Sequence, residues 1–133
     1  MPAEIVNSNA YHVPVKGFTQ AVKVPMNGQM VFISGLTARL ADGTIAAEGD
    51  VGGQTKQIFE SLKIILEEAG GSLKDVVRTV QYLRSMKDHA IMQEVKTEYF
   101  SGQNPPSTSV EISRLFDERQ LIEIEATAII GGR

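Results

Sequence analysis

Between Gln120 and Ile130 the chain reads as a strand that is apolar on both sides: Ile122, Ile124, Ala126, Ala128 and Ile130 alternate with Leu121 and Ile129. A strand of this kind has to be covered from two directions. Only two other segments have the pattern of a covering helix. From about Gln54 to Ala69, the residues Ile58, Leu62, Ile65, Leu66 and Ala69 fall on one helical face, with Lys56, Lys63, Glu67 and Glu68 elsewhere. From about His89 to Phe100, with Asp88 as the expected N-cap, Met92, Val95 and Tyr99 share a face, and Glu94, Lys96 and Glu98 are expected to stay in water. Two helices with one apolar face each can cover one side of one sheet. The other side then needs the same face of further copies, since an exposed apolar sheet aggregates. A homo-oligomer is the expectation.

The remaining elements fit around that frame. Gln20 to Val24 alternates, Met30 to Ser34 is a short apolar run, and Asn27-Gly28 between them is a hairpin signal, which predicts two strands paired with each other. A further turn is expected at Asp42-Gly43, and Gly49, Gly52 and Gly53 are expected to loosen the chain ahead of the first helix. Gly70-Gly71 supplies a helix stop, and Ser72 to Asp75 leads into a β-rich run from Val76 to Leu83. After the second helix, Asn104-Pro105-Pro106 breaks the chain, and Ser107 to Leu115 is a strand candidate separated from the last strand by the polar segment Phe116 to Arg119. Gly131-Gly132-Arg133 reads as a flexible tail. The order ββ-α-β-α-ββ predicts a two-layer α/β (α+β) sandwich, a mixed sheet with both helices on one face.

A chain of 133 residues has the length of one domain, and 42% apolar with 22% charged residues is a globular balance. No stretch reaches the roughly 20 apolar residues of a membrane span, and no signal-peptide pattern opens the chain, so a cytoplasmic location without membrane contact is expected. The absence of cysteine excludes disulfides and thiolate chemistry. A net charge of −3 with no basic run argues against a nucleic-acid partner. His12 and His89 are the only histidines, and neither has a second ligand at metal-site spacing; the glycine cluster lacks phosphate-loop spacing. Neither a metal nor a cofactor is expected.

Several fragments, in order, resemble the Rid family (reactive intermediate deaminases, also called YjgF), some of whose members carry the name endoribonuclease L-PSP. They are Gly17-Phe18-Thr19-Gln20-Ala21-Val22, Val31-Phe32-Ile33-Ser34-Gly35, Ala69 to Val77, Tyr99-Phe100, Pro105-Pro106, Val110-Glu111-Ile112 with Arg114-Leu115, and Ile122 to Ala126. Together they span nearly the whole chain. The resemblance implies a chorismate-mutase-like fold assembled as a homotrimer, with small-molecule clefts between subunits. For the deaminating branch of the family it also implies cofactor-free hydrolysis of enamines or imines derived from amino acids to 2-oxo acids and ammonia.

Within that resemblance Glu123 stands at the position of an acidic residue near the substrate, where it would orient or activate water. Ser34 stands at a cleft position, Phe18 where the pattern has tyrosine, and Gln93 where some members carry asparagine. The family's substrate-binding arginine falls at Ser107, or at Thr108 if the alignment slips by one. A hydroxyl there gives a neutral hydrogen bond of about 1 kcal/mol where a charged one contributes roughly 1.5–3 kcal/mol. Arg39, Arg78, Arg84 and Arg114 are the alternative cations. Glu125 shares a strand face with Glu123 at about 7 Å and reads as structural. The resemblance leaves two readings, an atypical Rid-type hydrolase and a non-catalytic trimer that binds a metabolite or protein. A ribonuclease is disfavoured by the acidic charge and the lack of a histidine pair.

Overall fold

A computed structural model describes residues 4–12 and 18–131; Gly17, Gly132 and Arg133, read above, lie outside them. The elements in chain order are β1 (Glu4–Val6), β2 (Ala21–Lys23), β3 (Gln29–Leu36), α1 (Val51–Glu68), β4 (Val76–Leu83), α2 (His89–Tyr99), β5 (Ser107–Glu111) and β6 (Ile122–Ile130). Four strands form a mixed sheet in the order β3-β6-β4-β5, with β3 and β4 antiparallel to β6 and β5 parallel to β4. Both helices lie on one face, as the two-layer expectation requires.

The helices start and stop for local reasons. The Asp50 side chain accepts the Gly53 N–H at 3.0 Å, so α1 begins at Val51 and takes Gly52 and Gly53 into its first turn instead of after a loose loop. Gly70, at φ +90°, lets the chain leave the helix, and the Gly71 N–H reaches back to the Leu66 carbonyl at 2.8 Å. Asp88 makes no side-chain cap to α2. The entry is organised instead by a 3-10 turn over Met86–Asp88, in which Ser85 Oγ accepts the Lys87 N–H at 3.2 Å.

The core lies between sheet and helices, where Ile58, Phe59, Leu62 and Leu66 of α1 and Met92 and Val95 of α2 meet Ile122, Ile124, Ala126 and Ala128 of β6. Phe59 stacks on Tyr99 at 5.1 Å and meets Phe100 edge-on at 5.7 Å, which joins the helices to each other. Among these apolar residues sits Lys96, 0% exposed, where solvent was expected to hold it. The reason is geometric: 96 follows 92 by four residues, and positions four apart share a helical face whatever their charge.

Two further expectations are corrected. Asn27-Gly28 does not close a hairpin between the flanking strands: β2 pairs with β1, a strand the sequence pattern did not reveal, and β3 pairs with β6. A Cβ at Gly28 would lie 2.7 Å from the carbonyl oxygens of Ile130 and Gly131, so this glycine admits the end of β6 alongside the turn. The sheet's open face is also less apolar than the ends of β6 suggested. Leu121 and Ile129 flank Glu123, Glu125 and Thr127, all three half-buried. Exposed apolar groups remain on that face at Met30, Phe32 and Val110, and Phe32 is 75% exposed.

Candidate functional site

The open face carries one group of candidate residues. Across from β6, β4 presents Tyr82 and Arg78, and the Tyr82 hydroxyl donates a short hydrogen bond to Glu125. That bond, with burial and the neighbouring carboxylates added, pushes the Tyr82 hydroxyl above its ordinary pKa. Arg78 Nη2 lies 3.3 Å from Thr108 Oγ1 on β5, so Arg78 and Thr108 are joined on this face. Of the four arginines, Arg39 donates to the Gly43 carbonyl and stands over the Phe116 ring, and Arg84 reaches toward the Glu118 carbonyl. Arg114 is exposed beyond β5. Of the four, Arg78 is the one that lies within a sheet strand, on the open face, where its partner on β6 is Thr127, four residues from Glu123.

Glu123 is positioned by a break in β3. Ile33 pairs with Ala126 and Leu36 with Ile124, so Ser34 and Gly35 together oppose a single residue of β6, a β-bulge. The Glu123 carboxylate rests against that bulge: a Cβ on Gly35 would stand 2.2 Å from Glu123 Oε2. Gly35 thus makes the room in which the carboxylate lies. A glycine inside an apolar run is the sequence signal for such a close approach, and it singles out Gly35, for which the resemblance implies no role.

A second group forms at the sheet edge on the opposite side. Ser107 pairs with Thr79 on the helix-covered face, and its Oγ accepts a hydrogen bond from Lys96 Nζ at 2.8 Å while the residue itself stays exposed. Burial alone lowers the Lys96 ammonium from its ordinary value to a pKa of about 8. One residue along α2, Thr97 Oγ1 donates to the Gln93 carbonyl at 2.7 Å and accepts from Asn104 Nδ2 at 3.0 Å. The Asn104 carbonyl in turn accepts from Thr19 Oγ1 at 2.7 Å, which fixes the Phe18-Thr19 segment beside the Asn104 turn. Phe18, Gln93 and Ser107 are therefore linked through α2 and the Asn104 turn, whereas Thr108 and Glu123 share only the open face, Thr108 on the edge strand β5 two strands across from β6, and Ser34 lies on the β3 bulge at the other edge of the sheet. Lys96 is the residue that sequence reasoning missed in the first of these groups; its i, i+4 relation to Met92 was the available signal.

The two groups do not meet within one chain. Glu123 pairs with Tyr82 and Tyr82 with Val110, so Ser107 is two strands across and three residues along from Glu123, roughly 14 Å by strand geometry, with side chains on opposite faces. Each group alone offers a half-site: a carboxylate over a glycine bulge, and a hydroxyl backed by a buried ammonium.

The same arrangement of elements recurs in known proteins. The family model described as endoribonuclease L-PSP matches residues 8–130. A RutC family protein of Pyrococcus abyssi is 39% identical over 128 residues, covering 96% of this chain and 98% of its own. The 3-aminoacrylate deaminase RutC of Acinetobacter baylyi is 32% identical with the same coverage. Among solved structures, a protein of the conserved Rid family from Yersinia pestis superposes with a TM-score of 0.83 at 31% identity, covering 98% of this chain and all of the other. With the family model matched across the β-bulge, both helices and the Glu123 strand alike, this chain belongs to the endoribonuclease L-PSP family, the Rid proteins.

Proposed function

We propose that this chain is a Rid-type hydrolase that releases ammonia from a small enamine or imine in clefts between three copies of itself. The observation that carries this reading is the division of the candidate residues into two half-sites on opposite faces of one sheet, which only a neighbouring copy can bring together. The exposed Phe32, Met30 and Val110 on the open face favour the same assembly. At family level, the deaminase named among the relatives supports the reaction class. An enamine first takes a proton on carbon and becomes the imine; in the cleft Glu123 then accepts a proton from water as the water adds to the imine carbon, while the imine nitrogen takes a proton from solvent to give a carbinolamine. Glu123 returns its proton to that nitrogen, the C–N bond breaks as the hydroxyl gives its proton to solvent, and the nitrogen leaves as ammonia, giving a carbonyl product. Ser107 and Thr108, standing where the resemblance places an arginine, shape a pocket without a guanidinium. Phe18 and Gln93 line its wall. No cofactor enters the reaction.

A second reading, a trimer that binds a metabolite or protein without turnover, is favoured by Ser107 itself, since it removes the bidentate anion contact an arginine would make. One experiment separates the two. Ammonia release is measured from freshly generated 2-aminoacrylate and 2-iminobutyrate with the wild type, Glu123→Gln and Ser107→Arg. The hydrolase reading expects turnover in the wild type and a loss of about a hundredfold or more in Glu123→Gln. An inactive wild type beside an active Ser107→Arg would replace it with the binding reading.

A further inference from the structure

Lys96 is fully buried, and among the described residues its one hydrogen-bond partner is a neutral hydroxyl, Ser107 Oγ, with no carboxylate within ion-pair distance. An ammonium taken out of water without a counter-ion is costly, and such groups are normally paired. An ammonium has three donors and no acceptor, so Ser107 Oγ is the acceptor of their bond. The Ser107 hydrogen is then directed away from Lys96, and residue 107 is itself exposed on the edge strand β5. A hydroxyl that accepts from a cation is polarised toward donating.

We propose that Lys96 is the specificity-determining cation of this cleft: through Ser107 it presents one polarised donor to an anionic group, a small carboxylate, and supplies the charge that no arginine supplies at position 107. The inference rests on the cleft of the preceding section lying at β5. It makes ligand binding proton-linked, which a guanidinium would not do.

Within one chain the described surroundings of Lys96 add no other group to that linkage; in the assembled cleft Glu123 of the neighbouring copy faces the same pair, and repeating the titration in Glu123→Gln separates its contribution. On the helix side of β4 and β5 the residues are Thr79, Gln81, Leu83, Ser107, Ser109 and Glu111; only Glu111 ionises, and its carboxylate accepts the Met86 N–H at 2.8 Å at the far end of the strand. From α1, Glu60 is tied to the Tyr99 hydroxyl at 2.6 Å and to Lys63 at 3.7 Å. On α2, Glu94 and Glu98 are exposed, and His89, like Asp88 and Lys87 of the preceding turn, stands about two turns away. The Thr19 segment and the Asn104 turn that bond to α2 bring no ionisable group.

The test uses pyruvate as the anionic probe and pyruvamide as its neutral counterpart, with the Lys96 side-chain carbon followed by NMR in lysine-labelled protein. Saturating pyruvate is expected to raise the Lys96 titration midpoint. Its affinity should be constant below pH 7 and fall by roughly tenfold between pH 8 and 9.5, as the ammonium is lost. Pyruvamide should bind more weakly and without pH dependence. Lys96→Met removes both the pH dependence and the preference for pyruvate, and a thermal melt no lower than wild type shows that it folds. Ser107→Ala, which leaves the lysine in place, also loses the preference, and Ser107→Thr restores it. A Lys96 midpoint indifferent to pyruvate, undetectable pyruvate binding, or equal affinity for the two probes overturns the proposal. Ammonia release keeps it separate from the hydrolase reading: turnover with an unmoved Lys96 midpoint removes the relay alone, and a moved midpoint without turnover removes the hydrolase alone.

Discussion

Glu123 and Gly35 act as a pair, one providing the carboxylate and the other the space for it. Because a Cβ at position 35 would fall 2.2 Å from Glu123 Oε2 and 2.6 Å from its Cδ, Gly35→Ala cannot leave the carboxylate where it is. The obstructed atoms are the far end of a flexible, half-buried side chain, so the clash relaxes by rotating Glu123 instead of parting β3 from β6. Gly35→Ala is thus expected to change unfolding free energy by less than about 1 kcal/mol, while a reacting group displaced by about an ångström costs on the order of a hundredfold in turnover. Urea denaturation beside ammonia release checks this. A large stability loss with intact activity would show that Gly35 serves the strand and not the carboxylate. The neighbouring Ser34 needs no such room, and its hydroxyl lies on the same bulge.

At the scale of elements, α2 holds the least expected feature, a lysine in its buried stripe. Its charge gives the fold an unusual pH dependence. Lys96 titrates at about 8 in the folded chain and near its ordinary 10.5 when unfolded, so between those values the unfolded chain binds more protons and stability rises with pH. The Tyr99 hydroxyl, pushed up to about 12 mainly by burial and then by its bond to Glu60, works in the opposite direction above pH 10, where the unfolded tyrosine ionises first. The window from pH 8 to 10 therefore isolates the lysine. The gap corresponds to about 3 kcal/mol, most of it recovered by pH 10. Denaturation at fixed protein concentration should show this rise in the wild type and a flat response in Lys96→Met; a flat wild type would mean that Lys96 is hydrated after all. Lys96 also marks where the sequence stopped being readable. Both helices, β4 and β6 followed from periodicity, since each buries one regular face. Position 96 was assigned by charge although its spacing from Met92 said otherwise, because burying an ammonium is the exception. The β2–β3 hairpin failed for another reason: Asn27-Gly28 states only that the chain turns, and partner choice was decided by β6, a hundred residues away. Glu123 and Ser34 were legible as a pair of positions, whereas their separation from Ser107 depends on strand order, which no local pattern encodes.

For the whole molecule, the trimer proposed above makes the open face of the sheet decide whether the half-sites meet. Phe32 stands there opposite Thr127 with three-quarters of its surface in water, and Glu125 is its diagonal neighbour on the same face of β6. In an isolated chain a glutamate at position 32 would be solvated and nearly neutral in its effect on folding. In a closed trimer the same substitution removes a buried aromatic side chain, roughly 1.5–3 kcal/mol for each copy, and introduces a charge without a partner beside Glu125, one of the same sign, which costs several kcal/mol more. Phe32→Glu should accordingly convert a three-chain particle to single chains by analytical ultracentrifugation at micromolar concentration, with far-UV circular dichroism unchanged. Ammonia release should vanish with the assembly, although residue 32 touches neither half-site residue by hydrogen bond or ion pair, because Ser107 of one copy would no longer face Glu123 of another. A single-chain wild type that still turns over would require Glu123 to work without Ser107, and the division of the site between the two faces of the sheet would then have no functional meaning.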